Sequence, residues 1–312
     1  MGKSTIPLSK GYNATKIKFP CSVSIKYDGV PIAVEATKLR GEIYIRAYTR
    51  QDTTNTSMSE LRDEIAEFLD MSLFIEEKES VIILGEVTHP EYPAFKDLSG
   101  KVRKQQKISG FVWNLFDLHL SAAPEDIWST RNRILKNLVA RIGHERIVHV
   151  QQIHCETRAD VEHCLSRIDP EEEGGVIRWH GDLWEPNSRR WGYMKHVVAP
   201  TVDLRVVGFS EAVSKDGKPL GRVGRVKCMY KGGVIGVGAG KMTHAEATKL
   251  WARWVEHCLV LGWSVHAEEQ YFLFDGKPSI CEVRYKRDPS YTALREPTFQ
   301  HWRPEKTEES YE

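Results

Sequence analysis

The chain has 312 residues, 41% hydrophobic and 28% charged, with a formal net charge of +1. That balance excludes a disordered or fibrous protein, and the length suits two ordinary domains, each able to bury a core. No apolar run approaches the roughly 18 residues that would span a bilayer, and the opening MGKSTIPLSKGYN lacks a signal-peptide core, so a cytoplasmic protein with no membrane role is expected.

The first strands come quickly. SVSIK and VPIAVEA flank the tight segment Tyr27-Asp28-Gly29, and EIYIRAYTR alternates with the period of a half-buried strand. Ser57 and Glu60 have capping-box spacing and predict a helix through about Met71. VIILGEV and GFVWNLFDL read as buried strands; Pro124 predicts the first turn of a helix that Gly143 ends. TRADVEHCLSRI reads as a short helix before the strand GGVIRW. Near Pro200 the texture changes to short strands, TVDLRVVGF, GRVKCMYK and GVIGVG, broken by Gly and Lys turns. Thr243 and Glu246 supply a second capping box for a helix to about Leu261, with Gly262 beyond it and the strand SICEVRY following. Short strands with one helix fit a partly open five-stranded barrel.

Charge is unevenly spread. Glu60 to Glu79 holds eight acidic and two basic residues, whereas Lys96 to Lys107 holds five basic and one acidic. A clustered basic segment can track a phosphate backbone by releasing counterions, or can simply be a solvated face. The six cysteines contain no CxxC pair, so reduced, mostly buried thiols are expected rather than disulfides or structural zinc. GVIGVGAGKMT only superficially resembles a phosphate loop, because Ile235 and Met242 stand where Gly and Ser or Thr are required.

The most chemically suggestive segment is Ser24-Ile25-Lys26-Tyr27-Asp28-Gly29, where a lysine leaves a strand beside a carboxylate and a permissive glycine. Such an amine becomes a nucleophile once it is deprotonated by burial or by neighbouring positive charge. The alternative is a hairpin turn carrying an exposed lysine. KYDG is followed by Thr49-Arg50, LGEV around Glu86, FVWNLFDL around Phe116, EGGVIR from Glu173, and WGYMKH around Lys195. The later segments PTVDLRVVGF and LREPTFQHWRPEK continue the series.

In this order and spacing the motifs resemble those of the ATP-dependent DNA ligases over nearly the whole chain. The resemblance implies an α+β fold: an N-terminal nucleotidyltransferase domain, ATP-grasp-like, with antiparallel sheets and helices over residues 1–200, then an OB-fold β-barrel over 201–312. It implies that Lys26 takes AMP from ATP. Ser24, Ile25, Asp28, Gly29, Arg50, Glu86, Phe116, Arg178, Lys195, Arg303 and Lys306 would bind the nucleotide, with Phe116, or failing it Trp113, stacking on adenine. Glu86 and Glu173 would hold Mg2+. Arg178 and Lys195 would contact the α-phosphate and the departing pyrophosphate. Arg303 and Lys306 would orient pyrophosphate on a second domain that moves about a hinge near Ala199-Pro200. The partner would be nicked double-stranded DNA and the protein a monomer. Because 25 residues precede Lys26, the two domains are expected to grip DNA themselves, with Lys101, Arg103 and Lys104 on its phosphates.

The sequence also departs from the family pattern. Pro31 stands where an arginine is usual, Tyr193 where a lysine is usual, and Ser24 where an acidic residue often reads adenine. Arg178 replaces the commoner lysine, and Arg46, Arg189 and Arg190 are candidate replacements for the lost cations. K-x-D-G is shared with RNA ligases and RNA capping guanylyltransferases, and the departures also fit a catalytically inactive nucleic-acid-binding relative.

Overall fold

The computed structural model describes residues 6–50, 54, 57, 59–69, 78–104, 108–169, 172–197, 199–266, 273–274, 277–286 and 292–311. The chain divides into two compact units, Met1–Val198 and Ala199–Glu312. The first unit runs β1 (Leu8–Gly11), a 3-10 turn (Ala14–Lys16), β2 (Cys21–Lys26), β3 (Val30–Leu39), β4 (Glu42–Thr49), α1 (Ser59–Phe68), β5 (Ser80–Thr88) and α2 (Phe95–Arg103). It continues through β6 (Val112–Leu120), α3 (Trp128–Ile142), β7 (Ile147–His149), β8 (Ile153–Cys155), α4 (Arg158–Ser166), β9 (Gly174–Trp179) and β10 (Arg189–Val197). The second unit holds β11 (Thr201–Val213), β12 (Pro219–Tyr230), β13 (Gly233–Gly238), α5 (His244–Val260), the two-residue strands β14 (Leu273–Phe274) and β15 (Lys277–Pro278), β16 (Ile280–Lys286) and β17 (Arg295–Trp302).

Two five-stranded sheets build the first unit, in the orders β1-β10-β9-β2-β8 and β4-β3-β5-β6-β7. One face of the second sheet buries Ile32, Val34, Ile83, Val87, Trp113 and Leu115. The same core takes Leu135, Leu138 and Ile142 of α3, which recur at the spacing of a single helix face. A separate core joins Cys21, Val23, Ile177 and Met194 of the first sheet to Val161 and Leu165 of α4. In the second unit β11-β12-β13-β17-β16 close into a barrel, and α5 packs Ala247, Leu250, Trp251, Trp254 and Cys258 against it. The architecture is thus α+β, with mixed sheets and a five-stranded closed barrel.

Several local expectations change on folding. The alternative of a hairpin at Lys26 does not form: β2 pairs with β8 and β9, while β3 pairs with β4 and β5, so residues 27–29 cross from one sheet to the other. The helix expected to start at Pro124 starts at Trp128, although Gly143 does end it in a left-handed conformation. Ser57 donates to the Val102 carbonyl oxygen at 3.1 Å and so ties the approach to α1 to α2. The basic segment after Lys96, for which no helix was expected, contains α2. Both Thr157-Asp160 and Thr243-Glu246 form reciprocal capping boxes. All six cysteines are free thiols. Among the described residues no helix is long and apolar enough to cross a membrane.

Candidate functional site

Lys26 is the last residue of β2, at the point where the chain leaves one sheet for the other. The crossing is tight. A Cβ added at Gly29 would lie 2.3 Å from the Val87 carbonyl oxygen and 2.8 Å from Glu86 Cγ, so only glycine allows the backbone this close to β5. The same close approach brings the end of KYDG against Glu86.

Strand alternation and register define the face around the lysine. Lys26 is paired with Gly174, Ser24 with Val176, and Ser22 with Arg178; across the next strand pair, Val176 opposes Lys195 and Arg178 opposes Tyr193. Lys26, Ser24, Arg178, Lys195 and Tyr193 therefore share a face. Ile25, expected among the nucleotide contacts, turns its side chain to the other face and is 41% exposed.

The Lys26 ammonium contacts the Glu173 carboxylate, both side chains being largely withdrawn from solvent, and lies 3.4 Å from the Tyr27 carbonyl oxygen. Burial pushes the Glu86 carboxyl up to about 7; the charges of Lys26 and Arg50 pull it down, and those of Glu173 and Asp28 push it up. Four residues singled out from the sequence, Lys26, Asp28, Arg50 and Glu173, thus lie within electrostatic reach of a fifth, Glu86. Pro31 is directly opposite Glu86 in the β3–β5 register, so the position lacking its usual arginine borders this cluster.

Phe116 occupies an irregularity in β6, where the partners of Leu84 and Gly85 are Asp117 and Leu115 and Phe116 itself is skipped. It is partly buried against a cluster containing Ala33, Tyr48, Leu84 and Trp184. Trp113, the fallback stacker, is 1% exposed in the helix-facing core, with its indole against Gly85. That burial removes it as an adenine platform.

Arg178, expected at the α-phosphate, has its guanidinium buried, bonded to Asp117 at 2.5 Å and covered by the Tyr193 ring at 4.2 Å. Asp117 receives Arg131 as well, at 3.0 Å. Burial alone would raise the Asp117 carboxyl, but Arg178 and Arg131 hold it below the usual carboxylate range. Sequence reasoning missed this Asp117-Arg131-Arg178-Tyr193 assembly because its members come from β6, α3, β9 and β10. The one available signal was the aspartate directly after Phe116 in an apolar strand, where an unpaired charge would be costly.

The replacement cations proposed for this face are engaged elsewhere. Arg46 pairs with Glu35 at 2.7 Å, Arg190 with Glu185 at 2.6 Å, and Arg189 donates to the Ser9 carbonyl oxygen at 2.6 Å. In the second unit Lys306 contacts Asp203, while Arg303 reaches Glu305 at 2.6 Å and Glu282 at 3.1 Å. The tail carrying them is bridged to β11 through paired backbone bonds between Asp203 and Ser310. Lys101 and Arg103 lie in the last turn of α2 and Lys104 caps it. Leu98 and Val102 anchor that helix in the core, Lys101 lies over the Tyr92 ring at 4.8 Å, and Arg103 and Lys104 are exposed.

No group of three or more His, Cys, Asp or Glu side chains poised to hold a metal ion occurs among the described residues. Glu86 and Glu173 are hard oxygen donors on one rim of the lysine. They fit Mg2+ only as a partial shell completed by phosphate oxygens and water, which is the coordination that ion prefers.

No protein-family model and no curated protein matches the sequence. Solved structures do match the fold. Pmar-Lig_Pre is 19% identical with a TM-score of 0.73, over 97% of this chain and 67% of that one. A structure from a study of DNA binding by Lig E DNA ligases is 14% identical with a TM-score of 0.62, over 96% and 98%. The ATP-dependent DNA ligase of bacteriophage T7, in complex with ATP, is 14% identical with a TM-score of 0.51, over 95% and 98%. Identity at this level speaks to architecture, and on that ground the chain has the fold of the ATP-dependent DNA ligases.

Proposed function

We propose that the protein is an ATP-dependent DNA ligase that seals nicks in duplex DNA through AMP carried on Lys26. The observation that carries this reading is the placement of Lys26 at a strand end, in contact with Glu173 and beside Glu86, Asp28 and Arg50. An amine, a guanidinium and two further carboxylates within electrostatic reach of Glu86 suit nucleotidyl transfer, which is catalysed mainly by positioning and electrostatics.

The amine of Lys26 first gives up its proton and its ion pair with Glu173. It then attacks the α-phosphorus of ATP; a P–N bond forms, the Pα–O bond to the β-phosphate breaks, and pyrophosphate departs. The 5′-phosphate of a nick next displaces the lysine from the adenylyl phosphorus. The neighbouring 3′-hydroxyl then attacks that 5′-phosphate and releases AMP. Phe116 is the candidate platform for adenine, Ser24 and Gly29 shape the pocket floor, and Arg50 and Lys195 supply positive charge to the phosphates. Arg178 acts in this scheme by fixing Tyr193 and Asp117 rather than by touching phosphate. Mg2+, held by Glu86 and Glu173 together with phosphate oxygens, would offset charge on the triphosphate. Arg303 and Lys306 are the candidates to orient pyrophosphate, exchanging their carboxylate partners for it, with residues 199–200 as the candidate hinge. The protein acts as a monomer on nicked duplex.

Mass spectrometry of the protein after incubation with ATP and Mg2+ tests the first step. A gain of one AMP on Lys26, abolished in Lys26→Ala, is expected, and no gain rejects the chemistry. Sealing a nicked DNA duplex, run beside an RNA-containing nick and a GTP arm, separates a DNA ligase from an RNA ligase or a capping guanylyltransferase. A chain that binds nicked DNA without ever taking AMP would be the inactive relative to which Pro31 and Tyr193 also point.

A further inference from the structure

At the far end of the β2–β9–β10 sheet from Lys26 lies a cavity of about 290 Å3 lined by Lys10, Lys18, Trp179, Asp182, Arg189, Arg190, Trp191 and Gly192. Trp179 opposes Cys21 and Gly174 opposes Lys26, so five strand residues, roughly 16 Å, separate the two places. Nothing in the proposed nucleotidyl transfer uses these residues.

The charge balance of the cavity is one-sided. Asp182 is buried at its base, 3.9 Å from the Arg178 guanidinium, and Arg190 is paired with Glu185. The remaining cations have no carboxylate: among the described residues Lys10, Lys18 and Arg189 form no ion pair. The Lys10 ammonium sits over the Trp191 ring at 4.1 Å, the Lys18 ammonium over the Trp179 ring at 4.3 Å, and Arg189 donates to a backbone carbonyl. Indole faces hold the two ammonium groups in place without neutralising them. Cations fixed in advance lose less freedom when an anion arrives, which favours binding.

We propose that this cavity is a second phosphate-binding site, taking the phosphodiester backbone of the nucleic-acid strand at a distance from Lys26. The nucleic-acid identity rests on the proposed ligase function; the anion preference rests on the cavity itself. A strand is favoured over a lone ion because the unneutralised cations come from three places in the chain, β1, the approach to β2, and β10. Together with Trp179 and Trp191 they line one cavity. Basic side chains set beside tryptophans, as Lys10 with Trp191 and Lys18 with Trp179, are the composition of surfaces that follow a nucleic-acid backbone.

The test uses the full chain and a fluorescent nicked duplex, with binding measured across salt concentrations in the absence of ATP. Lys10→Gln with Lys18→Gln is expected to weaken binding on the order of tenfold or more at low salt. The slope of log K against log salt should become shallower by about 1.4 to 1.8, the value for two lost phosphate contacts. Lys10→Arg with Lys18→Arg, which keeps the charge, should retain the wild-type slope. Both double variants should still take AMP on Lys26 as the wild type does. An unchanged slope in the glutamine pair overturns the proposal. Equal loss in the arginine pair also overturns it, since charge would then not be the cause. A titration with inorganic phosphate distinguishes the source of the anion: binding of free phosphate that depends on Lys10 and Lys18, with duplex binding unaffected by their loss, would make this a small-anion site and sink the strand assignment. Because duplex binding is read without ATP, a protein that never accepts AMP yet shows the expected slope change would refute the ligase reading while supporting this one.

Discussion

At the scale of single residues, the lysine and the carboxylates beside it are set by one backbone feature. Gly29 lets residues 27–29 pass against β5, and without it Glu86 could not stand beside the end of β2. Asp117 is the second critical residue, because it balances two buried guanidiniums. Removing one partner of a buried ion pair costs about 3–5 kcal/mol, since the other charge is left uncompensated. Asp117→Asn is therefore expected to lower the melting temperature by about 10 °C in a unit of this size, measurable by calorimetry. The sign of its pH dependence follows from the lowered carboxyl. Stability contributed by Asp117 is complete above the ordinary unfolded-state value, about 3.9, and is lost as pH falls through the lower folded-state value. The variant should accordingly lack that part of the acid-unfolding limb below about pH 4; identical acid limbs would refute the assignment.

At the scale of elements, α2 gives the basic segment a direction that sequence alone did not supply. Leu98 and Val102 fix one side of the helix in the core, and the last turn then presents Lys101, Arg103 and the capping residue Lys104. Basic residues at a helix C-terminus are favoured by the helix dipole with or without DNA, so their presence does not establish a role. Reversing all three charges distinguishes the cases. If they contact DNA phosphates, binding to nicked duplex should weaken and its log–log salt slope should flatten by up to about 2.7, or 0.9 for each contact. Unchanged titrations would assign the turn to helix capping alone. In the second unit Thr243 accepts from the Glu246 backbone amide while Glu246 accepts from Thr243 in return. Thr243→Ala should cost about 1 kcal/mol by urea titration of the unfolding midpoint.

At the scale of the whole molecule, the two units have separate cores. Every buried side chain of the barrel core, from Val202 to Phe299, lies within residues 199–312. A fragment of those residues should then unfold in one cooperative transition with a native-like circular dichroism spectrum; a non-cooperative melt would show that the barrel depends on the rest of the chain. The sequence by itself determined most of the strand and helix texture, the Thr243-Glu246 capping box, the change of character near Pro200 and the order of the ligase-like motifs, because periodicity and turn chemistry are local. Only the tertiary structure decided that KYDG crosses between two sheets instead of turning a hairpin, that Arg178 is sealed beneath Tyr193 against Asp117, and that Trp113 belongs to the core. Those outcomes depend on which strand lies beside which, and on how much water each side chain keeps. Both are set by contacts between residues tens of positions apart, which no local pattern encodes.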